Sequence, residues 1–388
     1  MQTSPALDKP VVVLIGNYPL DRQESMLRFR NLVQECLDSS GYTTESIFPK
    51  GYLGKIAQSG FWAKWFGYID KYILFPLGLA LQLWTIQRKY AGHKIVVHIC
   101  DHSNAVYVSV ARRWFPVLVT CHDLLAVRGA LGEDTDCPAS GFGRRLQAAI
   151  LRGLGQATHV VCVSRATQAD LIRLAGPAIA DRSQVIPLAL NYAYCAQTRD
   201  ETLAVLARAK IDLPYHGYLL HVGSALRRKN REALLLSAAQ IKESWPGPIV
   251  FAGERLSDRE RHLAASLGLE KRVREIVQPD NDTLHALYSA ADCFVFMSRF
   301  EGFGWPILEA QMSGCPVICS NRTSVPEVAG EGALILEPDD YTGIAHDIQR
   351  LQDASFRDNV IAHGLKNAQG FSSERMMSGY EEVYRRIS

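Results

Sequence analysis

Short runs of β-branched and apolar residues alternate with longer helical patterns from one end of this chain to the other. VVVLI, IVVHI, VLVTC and CFVF are typical runs. A strand this apolar needs cover on both faces, and the intervening helical stretches are long enough to supply it as crossovers. The pattern predicts an α/β fold of parallel sheets wrapped by helices. Strands are expected at 11–15, 95–99, 117–121, 160–163 and 184–187 in the first half. In the second half they are expected at 218–222, 249–252, 274–277, 293–296, 316–319 and 334–336. Two doubly wound, Rossmann-like units follow.

A chain of 388 residues exceeds the roughly 250 to 300 at which one core stops growing, so two domains are expected. Residues 189–214 sustain no strand pattern and include the polar run QTRDET, which puts the junction there and the domains at 1–195 and 205–372. The helical stretch 373–388 has no strand after it and is expected to pack back on the first domain. Doubly wound sheets hold ligands beyond the carboxyl ends of their strands, so a cleft between two such sheets is the expected active site.

The composition, 47% hydrophobic and 21% charged with a net charge of +2, is that of a globular protein and argues against disorder and a nucleic-acid partner. The nine cysteines are scattered and mostly embedded in apolar runs, without zinc or redox spacing. They read as free thiols in a reducing compartment, with no metal site. The start, MQTSPALDKPVVVLIG, carries Asp8 and Lys9 before a short apolar run and reads as neither a signal peptide nor a span, which places the protein in the cytoplasm.

The densest chemical signal is FVFMSRFEGFGWPILEAQMSGCPVICSN. It reads as a strand, a glycine-bearing turn over 301–305, Pro306 at a helix start, and a helix ending near Gly314. Glycines before a helix start let a ligand approach the main chain, and the N–H groups there attract an anion such as a pyrophosphate. Glu301 and Glu309 bracket the element. Carboxylates accept from sugar or ribose hydroxyls, but Glu309 could equally complement the helix dipole and Glu301 be a solvated loop acid. Upstream, in LLHVGSALRRKNREAL, the cations Arg227, Arg228 and Lys229 lie where a strand end meets a helix start and can neutralise a diphosphate leaving group, unless they are a solvated basic turn.

EGFGWPILE, followed by A-x-x-x-G-x-P-V, resembles the E-x7-E signature of glycosyltransferase family 4, the group 1 glycosyltransferases that include mannosyltransferases. The resemblance implies the GT-B fold, with an acceptor-binding first domain, a donor-binding second domain, and transfer that retains anomeric configuration without a metal or cofactor. It implies that Glu301 contacts the donor sugar, Glu309 the nucleotide ribose, and the main chain at Phe303, Gly304 and Trp305 the sugar and phosphates. Gly223, Arg228, Lys229 and Asn230 match the family's G-x-x-x-x-R-K-N run, although Ser224 stands where many members carry arginine. Main-chain groups near Val277 and Gln278 are candidates for the base pocket. VSRATQADL and QVIPLALN resemble two further family stretches, the second with Leu188 and Ala189 in place of asparagine and glycine.

In the first half, Gly16 ends a strand and is either a plain turn or, as in the family, a loop against the donor phosphates. His98, Asp101, His102, His122 and Asp123 sit at or beyond strand ends. His98, inside its strand, reads as structural. TCHDL resembles the family's H-D-L, which implies that His122 contacts the donor sugar and Asp123 orients it or holds the loop, with His102 on the acceptor side. With Arg228, Lys229 and Glu301, His122 completes the expected catalytic set.

Residues 52–90 gather aromatic and aliphatic side chains with Lys55, Lys64, Lys71, Arg88 and Lys89. The uncharged run 72–87, 16 residues, is shorter than the roughly 20 that span a bilayer. Two readings stay open: peripheral docking on the inner, cytoplasmic membrane face, or a helix buried in the first domain with snorkelling ends. The expected partners are a nucleotide-sugar donor, mannose on GDP before UDP-linked sugars, and a glycan or lipid-linked glycan acceptor in surface polysaccharide assembly. The alternatives are a nucleotide-sugar 2-epimerase, against which H-D-L and E-x7-E argue together, and a non-catalytic sugar-nucleotide-binding protein. An oxidoreductase lacks its G-x-G-x-x-G after the first strand.

Overall fold

A computed structural model describes residues 9–21, 23–56 and 60–388, the side chains at 60, 61, 63 and 64 excepted. The first eight residues and the Lys64 side chain, both drawn on above, lie outside the described residues. The chain divides into two compact units, residues 1–191 with 373–388, and residues 192–372.

The first unit is built on a parallel sheet of order β2-β1-β3-β4-β5-β6, from β1 (Val11–Ile15), β2 (Thr44–Ile47), β3 (Ile95–Ile99), β4 (Val117–Cys121), β5 (His159–Cys162) and β6 (Ser183–Val185). Every residue of β1, β3, β4 and β5 is buried, as strands covered on both faces require. β2 was not expected: TESI is an edge strand paired only to β1, with one buried residue, and an edge needs no apolar run. The helix Ser373–Ile387 belongs to this unit and buries Met376, Met377, Tyr380, Val383 and Tyr384. His98 is spent inside the unit, its Nδ1 2.8 Å from the Tyr384 hydroxyl and its Nε2 2.8 Å from Thr120 Oγ1, with its ring stacked on Tyr380.

The second unit repeats the plan in the order β12-β11-β10-β7-β8-β9. Its strands are β7 (Leu219–Gly223), β8 (Ile249–Gly253), β9 (Val273–Val277), β10 (Cys293–Phe296), β11 (Val317–Ser320) and β12 (Leu334–Leu336), all parallel. Its core joins Leu219, Phe251, Val295 and Ile318 of the sheet to Leu234, Leu235 and Ile344 of the covering helices. The stretch 189–214, which sustains no strand pattern, holds a helix, Arg199–Arg208, started by a capping box of Thr198 and Glu201. Six cysteines are buried, Cys36 and Cys137 are half-buried, and Cys195 is exposed.

Candidate active site

In the second unit the chain winds outward one way through β7, β8 and β9 and the other way through β10, β11 and β12. The loops beyond β7 and β10 therefore part in opposite directions, and a doubly wound sheet opens its ligand crevice at that place. Lys229 and Glu301 meet there, Nζ to Oε1 2.7 Å apart, and Arg228 Nη1 stands 3.6 Å from Glu301 Oε2. The three side chains are only 11–19% exposed, so solvent screens the cluster weakly. Arg228 also donates to the Phe300 carbonyl at 3.0 Å, and its own carbonyl accepts from the Arg299 N–H at 2.7 Å, which stitches the two loops together. Gly223 ends β7 at φ +147, where a side chain would be strained.

The Glu301 turn is fixed from the loop after β11. Thr323 Oγ1 accepts from the Glu301 N–H at 3.0 Å. The Ser324 hydroxyl, fully buried, lies 3.0 Å from the Glu301 carbonyl and 2.8 Å from that of Phe303, so one O–H serves two acceptors. Phe303 is buried against Phe371. Gly304, at φ +118, precedes the helix Trp305–Met312 and brings no side chain to cap it, while Pro306 occupies its first turn. Glu309, 5% exposed, accepts from the buried Tyr288 hydroxyl at 3.0 Å. A helix start without a side-chain cap and two cations on the neighbouring loop both favour an anion.

Two other expected donor residues are partly accounted for within the fold. The Asn230 amide donates to the Pro338 carbonyl at 2.8 Å from a left-handed residue, φ 50. The Gln278 N–H donates to the Gly253 carbonyl at 2.9 Å, and Val277 is 42% exposed at the end of β9, with β8 between it and β7. Arg231, overlooked in the sequence, is buried in a two-pronged pair with Glu260, both bonds 2.8 Å, and also holds the carbonyls of Glu254 and Arg255. Ser257 and Glu260 form a capping box, the S-x-x-E signal that could have found the carboxylate.

The first unit reverses between β1 and β3. Asn17 Nδ2 donates to Asp101 there at 2.5 Å, Asn104 Nδ2 donates to Asn17 Oδ1 at 3.0 Å, and the Ser103 N–H and hydroxyl both bond Asp101. His102 Nδ1 is 3.1 Å from Asp101 Oδ1 without the alignment of a hydrogen bond. Burial is the largest single influence and lowers its pKa, but the contributions of Asp101 together with the Asp123 charge raise it overall. Burial likewise opposes ionisation of Asp101, yet His102 and Ser103 hold its carboxyl well below the usual range. His122, beyond β4, lies 2.9 Å through Nε2 from the Cys100 carbonyl, with Phe29 edge-on at 4.6 Å. A carbonyl only accepts, so Nε2 carries the hydrogen and Nδ1 is the acceptor of the neutral ring. Burial keeps the His122 pKa below its ordinary value despite the nearby Asp101 charge.

Asp123 accepts from the Leu125 N–H at 3.0 Å and holds the loop. At Gly16 a Cβ would sit 2.4 Å from the Phe48 ring, so ring packing accounts for that glycine. His102, His122, Asp101 and Asp123 share one electrostatic neighbourhood. The structure thus gathers Gly223, Arg228, Lys229, Glu301 and Gly304 at one crevice and His102, His122 and Asp123 at another. Among the described residues no three His, Cys, Asp or Glu side chains are grouped to hold a metal ion.

Residues 211–366 match the family described as glycosyl transferases group 1, and residues 60–193 match glycosyltransferase family 4. The chain is 34% identical over 247 residues to O-antigen chain mannosyltransferase B of Escherichia coli, covering 62% of this chain and 64% of that protein. It is 30% identical over 323 residues to D-inositol 3-phosphate glycosyltransferase of Salinispora tropica, covering 76% and 64%. The matches thus span less than two thirds of either curated relative. Sucrose-phosphate synthase from Thermosynechococcus elongatus superposes with a TM-score of 0.73 at 22% identity, over 98% of this chain and 99% of that one. Anabaena HepE in complex with UDP and glucose superposes at 0.69 and 16% identity, over 97% and 99%.

Proposed function

The chain belongs to the group 1, family 4 glycosyltransferases and has their GT-B fold, and from that premise we propose that it is a metal-independent, retaining hexosyltransferase. It takes mannose from GDP-mannose, with UDP-sugars second, and places it on a saccharide or lipid-linked saccharide in surface polysaccharide or glycoconjugate assembly. The working site is cytoplasmic and needs no cofactor. The likeness to two mannosyltransferases of Escherichia coli, one an O-antigen chain enzyme and the other serotype-specific, supports the sugar and the setting.

The observation that carries this reading is the pairing of Lys229 and Arg228 with Glu301 at the reversal of the second sheet. A diphosphate entering that crevice competes for both cations and for the N–H groups of the Trp305–Met312 helix, and frees Glu301 to accept from the sugar's hydroxyls. In the reaction the bond from the anomeric carbon to the diphosphate oxygen breaks. The acceptor hydroxyl oxygen bonds that carbon on the same face, and its proton passes to the departing phosphate. Lys229 and Arg228 stabilise the charge that develops. His122, neutral and donating to the Cys100 carbonyl, serves as a hydrogen-bonding group toward the sugar.

Thermal stabilisation by GDP, UDP, ADP and NAD, with and without magnesium, tests the reading. A ligand at about 100 times its Kd adds roughly 2.7 kcal/mol to native stability. We expect GDP to raise Tm without magnesium and GDP-mannose to be consumed only when acceptor is present. Stabilisation by NAD alone, or by none of the four, sinks the proposal, and donor conversion without acceptor replaces it by an epimerase.

A further inference from the structure

The helices Gly60–Ile69 and Phe75–Lys89 run on through a wider turn at Asp70–Leu74, where the Phe75 N–H reaches back to the Asp70 carbonyl ahead of Pro76. One face, Phe75, Leu79, Leu83 and Ile86, is buried in the core of the first unit. The opposite face is also apolar, with Ile73 57%, Leu77 72%, Leu81 63% and Trp84 39% exposed, and Trp62 and Trp65 are exposed on the helix before. The spacing of four, four and three keeps Ile73, Leu77, Leu81 and Trp84 on one stripe. Seven of the fifteen large apolar side chains exposed among the described residues fall between positions 62 and 84, which is a patch and not a scatter.

Basic groups outnumber acids around it, and the acids that border it are paired, Asp21 with Lys71 and Glu45 with Lys89. The Arg88 guanidinium lies 4.0 Å over the Trp84 ring, and Phe142, packed on Trp65, leads into the exposed Arg144 and Arg145. From 60 to 93 the sequence has a single acid, Asp70. It is 1% exposed and spent on the Tyr18 hydroxyl and the N–H groups of Leu53 and Gly54. Among the described residues no helix is long and apolar enough to cross a membrane.

We propose that this face docks the protein on an anionic bilayer, the helix lying in the interface with Leu77, Leu81 and Trp84 at the acyl boundary and Arg88, Arg144 and Arg145 at the lipid phosphates. The inference does not depend on the transfer reading, since it concerns binding alone. The test is co-sedimentation of the full chain with vesicles of phosphatidylcholine alone and of phosphatidylcholine with phosphatidylglycerol. We expect binding to the anionic vesicles only, weakened about tenfold by half-molar salt. We expect about the same loss from Leu77→Ser with Leu81→Ser, exposed positions whose change leaves Tm in place. Absence of anionic-vesicle binding overturns the proposal, as does full binding by the double variant. A dimer seen by light scattering that the double variant dissolves also overturns it, making a second copy the occupant.

Discussion

Lys229 and Glu301 neutralise each other in the free protein, and their separate duties can be told apart by substitution. If Lys229 serves the phosphates and Glu301 the sugar, as proposed, Lys229→Met and Glu301→Gln are each expected to lower kcat/KM by about 10²–10³. Only Lys229→Met is expected to abolish stabilisation by the nucleoside diphosphate, which carries no hexose for Glu301 to meet; melting curves with GDP separate the two. Histidines give a second prediction at this scale. Burial holds His98 and His221 at about 3 and His159 at about 4, against 6.5 in an open chain. Below about pH 6.5 the unfolded chain therefore binds protons that the fold refuses. Stability is full above that pH and declines as pH falls toward 3 to 4. His98→Gln keeps a polar group between Tyr384 and Thr120, so its Tm should be lower at pH 7 but fall less than that of the parent between pH 7 and pH 5.

Among the elements, the turn over 301–304 owes its shape to residues twenty positions later, Thr323 and Ser324. Ser324→Ala leaves two carbonyls without their hydroxyl and should cost about 1–3 kcal/mol. If those bonds hold Glu301 in place, donor KM rises several-fold while acceptor KM stays put, which steady-state kinetics would read directly. The same element shows what the sequence could reveal. β1, β3, β4, β10 and β12 occupy the positions that their apolar runs predicted, and six other strands shift at one or both ends. β2 escaped because its edge position lets TESI stay polar. The EGFGWPILE turn was legible because glycine, proline and helix start are local signals. Thr323, Ser324, Asn17 and Arg231 were not, because only the strand order brings them to their partners. Gly16 was ambiguous for the same reason, its constraint being the distant ring of Phe48.

For the whole molecule, unit membership does not follow chain order, since residues 373–388 complete the unit that the N-terminal residues begin. The helix Ser373–Ile387 buries five large side chains there, and its Tyr384 and Tyr380 hydroxyls bond His98 and Thr120. A chain ending at position 372 is expected to lose the cooperative melting of the first unit while residues 192–372 retain theirs, which calorimetry of the shortened protein would register as the loss of one transition. Domains made on the ribosome usually fold in the order in which they emerge. Here the second unit is contiguous and has all its residues before the first has its last helix, so the half that is synthesised first finishes second. Until the helix Ser373–Ile387 has been made, the pocket for Met376, Tyr380 and Tyr384 stands uncovered on a nascent chain, an early claim on chaperones that a domain closed by contiguous residues would not make.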